Sequence, residues 1–289
     1  MGFRTIAISK RAKLNLTMGY LEVRGEETVR IFLDDIDTLL IENPSVSMTA
    51  ALLSELMRKK IKVIFCDGRK NPQGELIPYY GSGDSSRKIR NQIAWTMENK
   101  ERVWTEIVRE KIQNQARFLK ELKREREEKL LLRYLDELSP GDPANREGLA
   151  AKVYFNALFG MDFQRDEETP VNAALNYGYS LLLSTVNKEI SYNGYLTQLG
   201  LFHDNIYNPF NLASDLMEPY RILVDRMVYQ EKFVEFETNQ KHKMLHLLES
   251  EVIIGGTRQV LPNAVKIYVR SVFDALCDEN PGEILFYCI

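Results

Sequence analysis

The sequence predicts an α+β protein: a small N-terminal β-sandwich followed by a larger all-α region. Up to residue 83 the chain holds short runs rich in Ile, Val, Thr and Leu between turn residues, the pattern of strands with tight connections. Beyond Asp84, long breaker-poor stretches carry apolar residues at helical spacing. Between them Asp67, Gly68, Asn71, Pro72, Pro78 and Gly81-Ser82-Gly83 crowd together, which predicts a boundary between domains 1–83 and 84–289.

The predicted strands cover residues 3–9, 13–18, 20–24, 28–33 and 38–41. One helix interrupts them. Ser47 or Thr49 can cap it, and Ala50, Leu53, Leu56 and Met57 form its apolar stripe before Arg58, Lys59 and Lys60. The run Val63-Ile64-Phe65-Cys66 reads as a buried strand. Gly81-Ser82-Gly83 is too short for a dinucleotide loop and reads as linker and helix cap.

Residues 87–138 read as two long helices. Arg117, Lys120, Lys123, Arg124, Arg126, Lys129 and Arg133 alternate there with Glu121, Glu125, Glu127 and Glu128. Such mixing describes a solvated surface laced with i,i+4 pairs, with a minority left to face a DNA backbone.

Of the 289 residues, 44% are apolar and 27% charged, an ordinary globular balance. Acids exceed bases by 41 to 38, for a net charge of −3. This argues mildly against a nucleic-acid partner, although a local basic patch can hide in the sum. Cys66, Cys277 and Cys288 are odd in number and fit no metal knuckle. They read as reduced thiols of a cytoplasmic protein. No apolar run is long enough for a membrane span.

Ser139-Pro140-Gly141-Asp142-Pro143 is a stop-and-start signal, with Asp142 as cap and Pro143 at the first helical position. The helix should run to Gly160. Its stripe Glu147, Ala151, Tyr154 and Leu158 puts a carboxylate among apolar residues. A carboxylate so placed needs a partner, a proton or a metal. Equally, Glu147 in the first turn can simply complement the helix dipole. Gly148, costly inside a helix, predicts close approach by another backbone or by a substrate.

His203 ends the run Gly200-Leu201-Phe202, where a single histidine is usually a hydrogen-bonded structural residue. Asp215 and Glu218 are three apart, on one helix face, and repel unless a cation or proton is shared. Arg221 is a counter-ion candidate, and Pro219 should kink the helix beside the pair. A Glu, a His and an acidic pair form an oxygen-rich set suited to Mg²⁺ or Mn²⁺. His242 and His246 are spaced i,i+4, but Lys241 and Lys243 flank the first and no Glu follows it. That pair reads as a solvated face.

Three segments carry a resemblance. The first is Asp142-Pro143-Ala144-Asn145-Arg146-Glu147-Gly148, continued by Tyr154, Leu158-Phe159-Gly160, Phe163 and Arg165. The second is Asn172-Ala173-Ala174-Leu175-Asn176-Tyr177-Gly178. The third is Gly200-Leu201-Phe202-His203, then Asn208-Pro209-Phe210, Asp215, Glu218-Pro219-Tyr220-Arg221 and Asp225. In this order they resemble the CRISPR-associated spacer integrases, most of all the branch that accompanies single-effector nucleases (type II).

The resemblance implies a homodimer, two of which bridge a dimer of a small ferredoxin-fold partner protein in a heterohexamer. The double-stranded DNA partners would be a captured fragment and the CRISPR leader-repeat, and the reaction one of antiviral adaptation. The metal ligands and catalytic residues would be Glu147, His203 and Glu218, with Asp215 as helper. The metal would be Mg²⁺ or Mn²⁺. The chemistry would be transesterification by a 3′-hydroxyl, or endonuclease cleavage when water replaces it. Many members carry aspartate where Glu218 stands, and others a second histidine where this chain has Asp204.

Arg146 and Arg165 flank the motif as DNA-contact candidates, and Arg146 could equally pair with an acid. Tyr154 and Asn172 would orient ligands or simply pack. The apolar tail from Ile284 reads as a last strand or core plug, or as a partner-binding segment. The rival functions are a general metal-dependent endonuclease and a non-catalytic DNA-binding scaffold.

Overall fold

In a computed structural model every residue is described except Met1, Phe3, Tyr80 and Ile289. The first residue of the predicted opening strand and the last of the tail therefore lie outside the described residues.

The N-terminal strands are β1 (Arg4–Ile8), β2 (Lys13–Thr17), β3 (Tyr20–Arg24), β4 (Thr28–Phe32), β5 (Ile36–Ile41), β6 (Ser47–Met48), β7 (Lys62–Cys66) and β8 (Pro72–Glu75). They form two four-stranded sheets, ordered β1-β5-β7-β8 and β4-β3-β2-β6. In the first, β1, β5 and β7 run parallel and β8 antiparallel. Helix α1 (Ala50–Arg58) supplies the crossover from β5 to β7. Thr49 accepts a 3.3 Å bond from the Leu52 amide, as a cap should. The buried stripe is Leu52 and Leu56, while Ala50 is exposed, so the helix is rotated from the expected face.

Strand alternation divides two cores. Leu39, Ile41 and Val63 join Leu14, Leu21, Leu52 and Leu56 in one apolar cluster between the sheets. Leu40, Ile64 and Cys66, pointing the other way, join the core of the helical region. The first sheet is thus a middle layer covered on both faces, as parallel strands require. Burial in it pushes the Cys66 thiol up to about 12, so it is an inert core residue.

The predicted pair of helices over residues 87–138 is three: α2 (Ser85–Ala94), α3 (Met97–Glu121) and α4 (Glu125–Asp136). The extra break is a cap, with Thr96 accepting from the Asn99 amide at 3.2 Å. Next come α5 (Arg146–Phe159), α6 (Pro170–Asn193), α7 (Asn211–Leu216), α8 (Arg221–Glu231), α9 (Thr238–Leu245) and α10 (Leu261–Cys277). Helix α6 crosses the middle sheet. Ser184 donates to Glu75 at 2.8 Å, and Lys188 pairs with Asp37 at 2.8 Å.

The C-terminal region is not all-α. β9 (Glu251–Ile254), β10 (Thr257–Val260) and β11 (Tyr287–Cys288) make a three-stranded antiparallel sheet. The missed signal is Gly255-Gly256, a two-residue turn with φ of 56° and 74° that only residues tolerant of positive φ can form between strands. β11 lies in the apolar tail, which is a last strand and a core plug. Tyr287 is fully buried, stacks on Tyr220 at 4.6 Å and donates its hydroxyl to the Pro219 carbonyl at 3.0 Å.

His242 is also reassigned. Its Nε2 lies 2.9 Å from Glu42 Oε2 and 3.4 Å from Ser9 Oγ, so although its side chain is still partly exposed it ties α9 to the β-region. His246 is exposed, beside Glu249.

Tyr287→Ala should lower the unfolding free energy by roughly 3–5 kcal/mol, the usual cost of emptying a buried aromatic site, whereas Tyr287→Phe should cost about 1 kcal/mol for one hydrogen bond. Urea unfolding of the two variants checks this, and equal losses would show that the ring does not plug the core.

Candidate metal centre

The expected helix start at Pro143 is displaced. Helix α5 begins at Arg146, after Asn145 in the left-handed region at φ 51°. Asp142 still serves the amides: its carboxylate accepts from Arg146 N at 2.8 Å and Glu147 N at 2.9 Å. Asn145 Oδ1 accepts from Gly148 N at 3.2 Å. A Cβ at Gly148 would stand 2.7 Å from that Oδ1, so the glycine makes room for the cap, not for a substrate. Glu147 is thereby fixed in the first turn, partly exposed, one step from the buried stripe of Ala150, Tyr154 and Leu158.

Pro219 breaks the chain as expected. Helix α7 ends at Leu216, a single 3₁₀ turn covers Glu218–Tyr220, and α8 starts at Arg221. The break turns Asp215 and Glu218 apart, so they do not face each other as a repelling pair. Glu218, almost wholly buried, meets two cations. Oε1 takes Arg221 Nε at 2.9 Å, and Oε2 lies 2.5 Å from Lys111 Nζ in an ion pair outside hydrogen-bond geometry. Burial opposes ionisation, but Arg221 and Lys111 outweigh it and hold the Glu218 carboxyl below its usual range.

Lys111 was not anticipated. It lies on α3 and pairs with Glu147 as well as Glu218. Burial disfavours its charge, yet the two glutamates raise its pKa, so it stays an ammonium. The only sequence signal was a lysine on the apolar side of a mixed-charge helix, at a seven-residue step from Trp104.

Asp215 is fully buried and organises the preceding loop. Its carboxylate accepts from the amides of Leu201 (2.6 Å), Phe202 (3.1 Å) and His203 (3.1 Å), and meets His203 Nδ1 at 2.5 Å. A Cβ at Gly200 would lie 2.2 Å from the His203 carbonyl and 2.8 Å from Asp215, so this fold-back needs glycine. Phe202 stacks on Trp104 of α3 at 4.7 Å, seating the loop. The Asp215 bond raises the His203 pKa against the pull of burial. With Nδ1 directed at a carboxylate, Nε2 is the nitrogen left for a ligand, the orientation a metal-bound histidine requires.

As they stand, Glu147, His203 and Glu218 do not converge on one point. Among the described residues, no three His, Cys, Asp or Glu side chains are close enough to hold a metal. The position between the two glutamates holds the Lys111 ammonium instead. The donor set nonetheless fits a hard divalent cation: two carboxylates that already bracket a positive charge, and an imidazole oriented from behind. Asp215 has its carboxylate taken up by three loop amides and the His203 ring, and so positions that loop.

Asp225 lies behind the site, fully buried, where burial pushes its carboxyl up to about 6 against the Tyr179 hydroxyl that bonds it. Arg221 stacks on the Tyr179 ring at 4.6 Å. Arg165 lies over the same ring at 5.5 Å and donates to Asn172 at 2.5 Å and Asn176 at 2.8 Å. Asn172 closes the loop before α6 by donating to the carbonyls of Gln164 and Glu167, so it acts in folding. Arg146 pairs with Glu137 at 2.9 Å and lies over Tyr134, committed to α4.

In the intact protein His203 should titrate above an ordinary imidazole, and Asp215→Asn should lower its pKa. Because the folded-state value is the raised one, the stabilisation from this pair is fully present below about pH 6.5 and is lost as pH rises through the His203 pKa. NMR titration of the His203 ring in both proteins checks this, and identical titration curves would refute the role given to Asp215.

Three comparisons bear on this geometry. Residues 6–246 match the family model described as CRISPR associated protein Cas1. The chain is 38% identical over 290 residues to the CRISPR-associated endonuclease Cas1 of Neisseria meningitidis serogroup C (strain 8013), covering 98% of this chain and 95% of that one. Its fold is similar to a casposase bound to integration product, with a TM-score of 0.76, 18% identity, and 96% and 91% of the two chains covered. It is also similar to a chain of a Cas6-RT-Cas1–Cas2 complex, with a TM-score of 0.73, 16% identity and 97% of this chain covered but only 36% of that longer one. A family match over most of the chain, together with the Neisseria likeness along nearly its whole length, makes this protein a member of the Cas1 family.

Proposed function

We propose that this protein is a metal-dependent DNA integrase of CRISPR adaptation, which also cleaves DNA when water takes the place of the incoming strand. The observation that carries the reading is the convergence of Glu147 and Glu218 on one buried cationic position, with the His203 ring oriented by Asp215 within electrostatic reach of Glu218. All three residues are the ones that the sequence resemblance implies as ligands. The Neisseria relative is named an endonuclease, and one structural neighbour is a casposase bound to integration product; both support DNA phosphodiester chemistry here.

The residues proposed to hold Mg²⁺ or Mn²⁺ are Glu147, Glu218 and His203 through Nε2. Bound there, such an ion would supply Lewis-acid activation of an oxygen nucleophile and charge neutralisation at phosphorus. In the reaction, the 3′-hydroxyl oxygen of the incoming strand forms a new P–O bond as the target strand's P–O bond breaks. The proton lost by the nucleophile is balanced by the one gained by the departing oxygen. Asp215 fixes the imidazole, and Arg221 keeps Glu218 ionised. Arg165 shares the Tyr179 ring with Arg221, whereas Arg146 is committed to Glu137, so Arg165 is the better placed of the two candidate arginines to meet a DNA phosphate.

We further propose a homodimer working with Cas2, the small ferredoxin-fold partner, as a heterohexamer on double-stranded DNA. The named Cas1–Cas2 neighbour favours such a partner. The Neisseria likeness favours the type II branch. Among the described residues no helix is long and apolar enough to cross a membrane, in keeping with action on DNA in the cytoplasm.

The test supplies a repeat-containing target, Mn²⁺ and short duplexes ending in either a 3′-hydroxyl or a 3′-deoxy terminus. Joining should occur only with the hydroxyl. Glu147→Ala, His203→Ala and Glu218→Ala should each lower joining by roughly 10²-fold or more, the scale of losing transition-state charge stabilisation. Cleavage without 3′-hydroxyl-dependent joining would leave a general endonuclease. Full activity in all three variants would make these residues structural, and neither joining nor cleavage by the wild-type protein would leave a scaffold.

A further inference from the structure

The place between Glu147 and Glu218 is taken by a residue that no motif assigns to the reaction. Lys111 reaches it from α3, with its side chain almost wholly buried. Its ammonium pairs with Glu147 Oε1 and Glu218 Oε2. Since Arg221 holds Glu218 Oε1, both oxygens of that carboxylate are already committed to cations. A divalent ion cannot take Glu218 as a ligand without displacing a positive group or sitting beside one. Of the two groups, Lys111 also blocks Glu147, so it is the group in the way.

We propose that Lys111 is a resident counter-cation of the metal centre. It neutralises Glu147 and Glu218 while no metal is bound, and a divalent ion must displace it to load. The inference rests on the metal reading given above and deepens it.

Two physical effects point the same way. An ammonium left next to a divalent ion repels it strongly in a low-dielectric site. An ammonium driven out forfeits two ion pairs and needs a new anion. Either way Lys111 weakens metal binding. The compensating gain is an ordered, charge-balanced site in the metal-free protein, where two unpaired carboxylates would otherwise repel. A lysine serves this role better than an arginine, because a compact ammonium on a flexible stem can withdraw without breaking a fixed bidentate fork.

The experiment compares the full-length protein with Lys111→Met, which keeps the length of the stem and removes the charge. Mn²⁺ binding is followed by the loss of the free-ion electron paramagnetic resonance signal, and thermal melting is recorded in EDTA and in Mn²⁺. Lys111→Met should bind Mn²⁺ roughly tenfold more tightly or better. It should melt below wild type in EDTA and recover more of its melting temperature on adding Mn²⁺. Lys111→Gln should shift both readouts in the same direction, and it carries the test if the methionine variant fails to fold.

A folded Lys111 variant that binds Mn²⁺ as weakly as wild type, or more weakly, overturns the proposal: Lys111 would then be a strut that holds the ligands in place. A general packing defect also weakens binding, so only a removed competitor tightens it. If wild type binds no Mn²⁺ that Glu147→Ala abolishes, the metal reading itself falls and takes the inference with it. The two failures are thus told apart by the wild-type titration.

Discussion

Buried charge compensation around the Pro219 break is the constraint on which the rest of the site depends. Asp215 and Glu218 are both almost completely buried, and an unpaired carboxylate there would be prohibitive. The turn between α7 and α8 lets each find its own partners. Asp215 collects three backbone amides and an imidazole, and Glu218 collects a guanidinium and an ammonium. Nearly every neighbouring element is held by one of these contacts. The loop carrying His203 folds over Asp215, α3 is drawn in through Lys111 and Trp104, and α5 is joined through Glu147. The C-terminal strand closes the far side, with Tyr287 bonded to the Pro219 carbonyl.

The β-region supports this arrangement from a distance. Its parallel strands present Leu40, Ile64 and Cys66 to the helical core, and α6 lies across them, anchored by Glu75 and Asp37. The same α6 presents Tyr179 to Asp225 and to Arg221. One continuous helix therefore runs from the sheet to the rear wall of the site. His242 adds a second tie, from α9 to Glu42.

Strand positions up to Cys66 were legible, apart from the two-residue β6 that was read as a helix cap, because alternation and turn residues are local signals. So was the break at Pro219, because the missing amide and the ring clash are properties of proline alone. The C-terminal hairpin was missed although Gly255-Gly256 announced it, since the surrounding helical pattern dominated the reading. The start of α5 was misplaced because Asp142 caps from outside an intervening left-handed turn. Asp215 was legible as a helper to the site but not in its partners, three loop amides and the His203 ring, and Lys111 was not legible at all. Both depend on which residues from distant segments meet in space. Periodicity can say that a lysine sits on a buried face, but not that two glutamates some 36 and 107 positions away, from 111 to 147 and to 218, will pair with it. The family resemblance names Glu147, His203 and Glu218 as a set; the structure brings two of them, Glu147 and Glu218, onto one cation, Lys111.

The central claim is that Glu147, Glu218 and His203 form one cation site whose charge Lys111 supplies in the absence of metal. Crystals of the protein soaked in Mn²⁺, with anomalous scattering recorded at the manganese edge, test it most directly. The account predicts a single strong peak among the two carboxylates and His203 Nε2, with the Lys111 ammonium moved away from between the glutamates. A peak elsewhere, or Lys111 still seated between Glu147 and Glu218 at saturating Mn²⁺, would contradict it.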